Sequence, residues 1–246
     1  MELSNRSALV TGASSGIGLA TAIALRQRGV RVRATGRAVG ALDRLAKECG
    51  ADVLAADLAQ IGEADRLAEW AGSVDLLVNN AGFGWAGPFA EIEPTRMDEL
   101  LRVNLAAPIR LATLLVPGMV QRGVGHVVNV ASIAGHVGVR FEAVYAATKA
   151  GLIAFSDSLR YELAGSGIGV SVVSPGAVRT PFFEREGRRY DRAFPRPVAT
   201  ERVAAAILEA VEHDRPQVFV PRWMAFPAWF RGTWPGLYRR LAGRFG

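Results

Sequence analysis

Tyr145 and Lys149 stand four residues apart, in Tyr145-Ala146-Ala147-Thr148-Lys149. On a helix this spacing puts a phenol and an ammonium on one face, a turn apart. The pair suits proton transfer. A free tyrosine titrates near about 10, and a neighbouring cation favours its phenolate. Bringing a phenol to neutrality takes roughly 4 kcal/mol of differential stabilisation, from the lysine and a second, bound cation together. Of the 29 basic residues, only Lys47 and Lys149 are lysines. Ser132, in Asn129-Val130-Ala131-Ser132, follows an apolar β-branched run. Its hydroxyl could hold a substrate oxygen within reach of Tyr145. Asn104 falls inside a segment that reads as a long helix, where asparagine is disfavoured and invites a reason. It could hold a water that passes protons to Lys149.

A second group of residues could hold phosphate. Thr11-Gly12-Ala13-Ser14-Ser15-Gly16-Ile17-Gly18 joins an apolar strand to a helix. Gly12 allows a tight turn, Gly16 lets backbone amides approach a phosphate, and Gly18 permits close helix–sheet contact. The helix start adds free N–H groups and a partial positive charge. The spacing is Gly-x-x-x-Gly-x-Gly, and the Gly-Lys-Ser/Thr ending of a nucleotide-triphosphate loop is absent. At the end of the second strand, an acid would bond a ribose 2′-hydroxyl and repel a 2′-phosphate. The chain instead has Gly36-Arg37. Gly36 leaves room, and the Arg37 guanidinium can clasp a phosphate while stacking on adenine. This favours NADP(H) over NAD(H). Asp57, beside Leu58 after the third strand, could accept the adenine amino group or cap the next segment; both readings stand.

The elements that must position these groups alternate. Apolar β-branched runs at 7–11, 30–35, 52–56, 74–78, 124–130, 170–173 and 217–220 read as strands. Ala/Leu/Arg segments at 16–28, 41–48, 64–71, 97–119, 143–163 and 201–212 read as helices, with Pro108 kinking the fourth. Strands whose residues are almost all apolar suit a sheet buried on both faces. Their alternation with helices predicts an α/β chain: a Rossmann-like, doubly wound, mainly parallel seven-stranded sheet flanked by helices. No linker or repeat divides residues 1–221, which read as one cofactor-binding and catalytic domain. Residues 182–197 are irregular, rich in arginine and aromatics, and follow a strand end; they are expected to form a substrate lid.

These motifs resemble the short-chain dehydrogenase/reductase family in its compact single-domain form. The resemblance rests on Thr11 to Gly18; Asn79-Asn80-Ala81-Gly82; Asn104; Ser132; Tyr145-x-x-x-Lys149; and Ser174-Pro175-Gly176 with Thr180. They occur in the family's order. The resemblance implies that Tyr145 is the general acid in reduction and the general base in oxidation. Lys149 would lower its pKa and bind the nicotinamide ribose, Ser132 would orient the carbonyl or hydroxyl, and Asn104 would support the proton relay. Asn80, Ala81 and Gly82 would support the sheet and border the cofactor. Pro175, Gly176, Val178 and Thr180 would border the nicotinamide. The implied reaction is hydride transfer between NADP(H) and a small-to-medium ketone or secondary alcohol. The implied assembly is a homodimer or homotetramer through two long helices. Two rivals share the scaffold: a cofactor-sensing protein without catalysis, and an epimerase or dehydratase with transient hydride transfer. Intact Ser132, Tyr145 and Lys149 disfavour the first, and a short C-terminal region disfavours the second.

Composition sets the remaining bounds. The chain has 246 residues, 50% of them apolar, enough for a substantial core. One cysteine, Cys49, excludes an internal disulfide and gives no metal motif. No apolar run reaches the roughly 18 residues of a spanning helix, and the start does not read as a signal peptide, so a cytoplasmic setting is expected. Net charge is +6, and residues 215–246 hold six arginines and no acid. The rest is balanced, which disfavours nucleic-acid binding. Pocket walls are expected from Ile133-Ala134-Gly135-His136, Val139, Phe141, Phe182 and Phe183, suiting an apolar substrate. His136 reads as a pocket or surface residue, not a metal ligand. The tail after strand seven departs from the Val-Asp-Gly-Gly ending of acyl-carrier ketone reductases. Residues 222–246 form a basic aromatic extension, with Leu237, Tyr238, Leu241, Ala242 and Phe245 on one helical side and Arg239, Arg240 and Arg244 on the other. It is expected to pack on the domain or a partner subunit; peripheral contact with an anionic membrane is the alternative.

Overall fold

The computed structural model describes residues 1–185, 190 and 195–245. Its centre is a parallel sheet of seven strands: β1 (Ser7–Val10), β2 (Arg31–Gly36), β3 (Asp52–Ala55), β4 (Leu76–Asn79), β5 (Gly125–Val130), β6 (Ile168–Pro175) and β7 (Gln217–Val220). Their spatial order is β3-β2-β1-β4-β5-β6-β7, so the chain reverses direction across the sheet between β1 and β4. Register is unbroken there: Val10 pairs with Ala34 on one side and Val78 on the other. A reversal of strand order leaves a crevice at the carboxyl ends of the strands, where ligands bind.

Helices cover both faces. They are α1 (Gly16–Gln27), α2 (Val39–Cys49), α3 (Glu63–Ala71), α4 (Pro94–Leu101), α5 (Ala107–Arg122), α6 (Ile133–Val137), α7 (Ala143–Glu162), α8 (Phe182–Arg185), α9 (Thr200–Glu212), α10 (Ala225–Thr233) and α11 (Pro235–Phe245). Strand side chains alternate between two cores. Ala8 and Val10 face Leu25 of α1 and Ile207 of α9. Leu9 and Leu77 face Leu67 of α3 and Leu111 of α5. Both sets are buried, which is why these strands lack a polar period.

The expected strands all occur, with ends shifted by a few residues, and every pairing is parallel. The helix expected over 97–119 starts earlier and is not simply kinked. A π-helical turn, Arg102–Ala106, joins α4 to α5. Pro108 has no N–H to return to the carbonyl of Asn104, so the α-helical ladder must break there. Among the described residues, Pro94–Arg122 is long and apolar enough by composition to cross a membrane. Here it carries core residues, with Leu100, Leu111 and Met119 fully buried. Arg102, Asn104 and Arg110 interrupt it, so it passes on mean hydropathy without containing a strict run of 18 apolar residues.

Of the expected lid, Phe182–Arg185 is helical, and residues 186–189 and 191–194 lie outside the described residues.

Candidate active site

A cleft of about 690 Å³ runs along the carboxyl ends of the strands. It begins at the glycine turn after β1. Gly12 (φ +67°) and Gly16 (φ +58°) adopt backbone that L side chains rarely take. A Cβ on Gly12 would lie 2.8 Å from Ala81 Cα, and one on Gly18 2.4 Å from Gly12 O. The turn is braced from β4. Thr11 Oγ1 accepts N–H bonds from Asn80 (3.0 Å) and Ala81 (2.9 Å), and Asn80 Nδ2 donates to the carbonyls of Thr11 (2.8 Å) and Gly12 (3.3 Å). Asn80 and Ala81 thus hold the turn's shape as well as lining the cleft. Thr11 is a brace that sequence reasoning missed. No acid sits in the first turn of α1, so its positive end remains available to an anion. A glycine cradle over a helix start fits a dinucleotide's phosphates.

Further along, Ser14 Oγ occupies the space a Cβ on Gly36 would take, at 2.8 Å. Arg37 is exposed at the rim and makes no ion pair among the described residues. Asp57 caps the next segment, one of the two readings offered for it, and stands where the other would place it. It lines the cleft beside Leu58, and its Oδ1 accepts the N–H of Ala59 at 3.1 Å, closing a local turn.

At the other end, Tyr145 occupies the first turn of α7 and is 8% exposed. Lys149 is buried one turn later, its Nζ 5.8 Å from the Tyr145 ring centre. That ammonium donates to Val130 O of β5 at 2.9 Å. Burial pushes its pKa down to about 8. No carboxylate pairs with it among the described residues, so its field is not cancelled locally. Ser132 caps α6, its Oγ accepting the N–H of Ala134 at 3.1 Å. The cap fixes the rotamer and leaves the hydroxyl hydrogen for another acceptor.

Asn104 lies in the π turn and is fully buried behind Gly82. Its amide brackets Phe83, accepting N–H at 3.1 Å and donating to the carbonyl at 2.8 Å. It also donates to Thr148 Oγ1 (3.3 Å), which donates to Tyr145 O (2.7 Å). Its side chain therefore ties the loop after β4 to the first turn of α7. Asn104 and Gly18 do not themselves line the cleft; Ser14, Ser15, Gly16, Ile17, Gly82, Pro175, Gly176, Val178 and Thr180 do. Thr180 packs on the glycine turn, its Cγ2 2.9 Å from where a Cβ on Gly16 would be.

The expected pocket walls hold in part. Ile133, Ala134, Val139, Phe182 and Phe183 line the cleft, and the Phe182 ring lies 5.7 Å from that of Tyr145. His136 does not. It points away, Nε2 bonded to Ser174 Oγ at 2.9 Å and its ring 4.9 Å from Phe219. The direction of α6, which the sequence did not reveal, decides this. Phe141 is also outside the cleft, 49% exposed at the loop before α7. Phe83, Arg96, Val137, Glu142 and Met224 line it unforeseen. Met224, from the tail, fills the space beside Gly176 at 2.4 Å from where a Cβ would be.

Comparison with known proteins agrees with this architecture. Residues 6–191 match the family model described as short chain dehydrogenase. The chain is 34% identical over 232 residues to the ketoacyl reductase HetN of Nostoc sp., covering 89% of this chain and 79% of that one. Two solved structures superpose closely. A short-chain dehydrogenase from Sphingobium yanoikuyae in complex with NADPH has a TM-score of 0.83 at 30% identity, covering 94% of this chain and 95% of the other. A short chain dehydrogenase/reductase from Burkholderia phymatum in complex with NAD has a TM-score of 0.85 at 25% identity, covering 95% of each. The chain belongs to the short-chain dehydrogenase/reductase family of oxidoreductases.

Proposed function

We propose that this chain interconverts a small-to-medium apolar ketone and its secondary alcohol with NADP(H), using Tyr145 as general acid and base. The observation that carries the reading is the buried, carboxylate-free Lys149 beside a cleft-lining Tyr145. A cation one helical turn from the phenol, its Nζ 5.8 Å from the ring centre, favours phenolate, the direction that proton exchange near neutrality requires.

Nicotinamide, when bound, supplies or takes the hydride. The chain's own groups manage the rest. The glycine turn and the start of α1 hold phosphate, and Arg37 meets a 2′-phosphate at the rim. Ser132 donates its hydroxyl hydrogen to the substrate oxygen. Tyr145 delivers a proton to that oxygen as negative charge grows on it, and takes one back in oxidation. Lys149 holds the developing phenolate. Asn104, through Thr148, keeps α7 in register with the loop after β4. Phe182, Phe183, Val139 and Met224 surround the substrate with apolar surface. Assembly as a homodimer or homotetramer belongs to the same proposal, supported by exposed Leu114, Val120 and Tyr161 on α5 and α7.

The test is a panel of carbonyls and alcohols followed at the nicotinamide absorbance with each cofactor. Net reduction with a preference for NADPH supports the reading. Arg37→Asp should weaken NADPH binding at least tenfold more than NADH binding, since a charge-assisted phosphate contact is worth about 1.5–3 kcal/mol. Equal weakening of the two would remove the phosphate role.

A further inference from the structure

The tail was expected to pack on the domain or a partner subunit; within this chain one side of its aromatics is covered and the other is open. Phe226 (63%), Trp229 (56%), Trp234 (51%), Leu237 (50%) and Leu241 (41%) are open to solvent. They form one strip. The Phe226 and Trp229 rings are 6.0 Å apart, and Trp234 meets Trp229 edge-on at 5.6 Å. Leu237 and Leu241 continue it along α11, three and seven residues after Trp234. Phe230 and Tyr238 lie on the inner side and contact each other at 6.2 Å. Arg231 donates to the carbonyl of His136, tying α10 to α6.

Charge identifies what the strip would meet. Residues 215–246 hold six arginines and no acid. Arg222, Arg231, Arg239 and Arg240 are exposed beside the aromatics. A second copy docked on this face would bring like charges together without a compensating carboxylate. An anionic bilayer complements both features: arginines meet headgroup phosphates while tryptophans settle at the water–lipid boundary. Neither helix could span, since α10 has nine residues, α11 has eleven, and a crossing needs about 20. The strip also adjoins the cleft, because Met224 immediately precedes α10 and lines it.

We propose that α10 and α11 form a peripheral docking surface for an anionic lipid bilayer, with the aromatic strip at headgroup depth and the arginines on anionic headgroups. The test uses the full chain with vesicles of phosphatidylcholine alone and of phosphatidylcholine mixed with phosphatidylglycerol. Co-sedimentation should occur with the mixed vesicles, weaken with salt and shift tryptophan emission to the blue. Arg239→Gln with Arg240→Gln should lower the partition coefficient about thirtyfold. Trp229→Ala with Trp234→Ala should abolish the emission shift and leave turnover of a water-soluble carbonyl unchanged. Equal partition onto both vesicle types, or variants that bind like the parent, would overturn the proposal. Self-association lost in the tryptophan variant, with no vesicle binding, would assign the strip to a second copy and overturn it equally.

Discussion

Replacing Lys149 by methionine should remove activity without weakening the fold. Methionine keeps the unbranched stem and removes the charge. Burial lowers the lysine pKa from 10.5 to about 8, so the charged side chain opposes folding below that pH. That lowering corresponds to about 3 kcal/mol. Against this, Val130 O loses its donor, a penalty of about 1–3 kcal/mol. The variant should therefore be as stable as the parent at neutral pH, or up to about 2 kcal/mol more stable. For a chain of this size that is a rise of up to about 8 °C in Tm. The sign follows from linkage. The unfolded lysine stays protonated up to 10.5 while the folded one releases its proton near 8, so parental stability rises with pH across that window. Relative to the variant, the parent should gain about 1 kcal/mol between pH 7 and 9. Urea denaturation at both pH values, beside turnover of the best panel substrate, provides the assay. A variant destabilised by more than about 2 kcal/mol would refute the claim that this cation is held for catalysis at the expense of stability.

Other outcomes follow from the same geometry. His126 is 1% exposed and burial pushes its pKa down to about 4; its Nε2 bonds Ser171 Oγ at 2.8 Å. Unfolding lets it take a proton near its ordinary value, so stability should fall by about 2 kcal/mol between about pH 7.5 and about pH 5. His126→Gln should show a correspondingly flatter slope in the same denaturation series, and an unchanged slope would contradict the burial argument. Gly18→Ala forces a Cβ to 2.4 Å from Gly12 O and Asn80 Nδ2, so thermal and cofactor titrations should show a loss of about 1–3 kcal/mol. Gly40→Ala, with nothing within 4 Å inside α2, should gain up to about 1 kcal/mol; a matched response of the two glycines would speak against the cradle.

Much of this fold was legible in the sequence because the sheet is buried on both faces. The runs around Leu9, Leu77 and Val127 are mostly apolar and bounded by turns, which marks each strand. The glycine turn and the Tyr145–Lys149 spacing are local, so their cleft positions could be read from a few residues. What depends on tertiary packing was less visible. Thr11 becomes a brace only when β4 lies beside β1. Asn104 marked an anomaly in its helix, and Pro108 four residues later was the clue to a π turn in place of a kink. Nothing local distinguishes His136, which turns outward, from Val137, which lines the cleft. Met224 reaches the cleft only because the chain turns back after β7, and no residue pattern announced that.

The central claim is that Tyr145 passes the proton. Single-turnover carbonyl reduction by Tyr145→Phe, with cofactor binding measured in parallel, tests it most directly. The account predicts cofactor affinity within a few-fold of the parent and a rate lowered by at least about 100-fold, the lower end of general acid–base contributions. A variant that reduces the same carbonyl at near-parental rate would show that the proton comes from elsewhere.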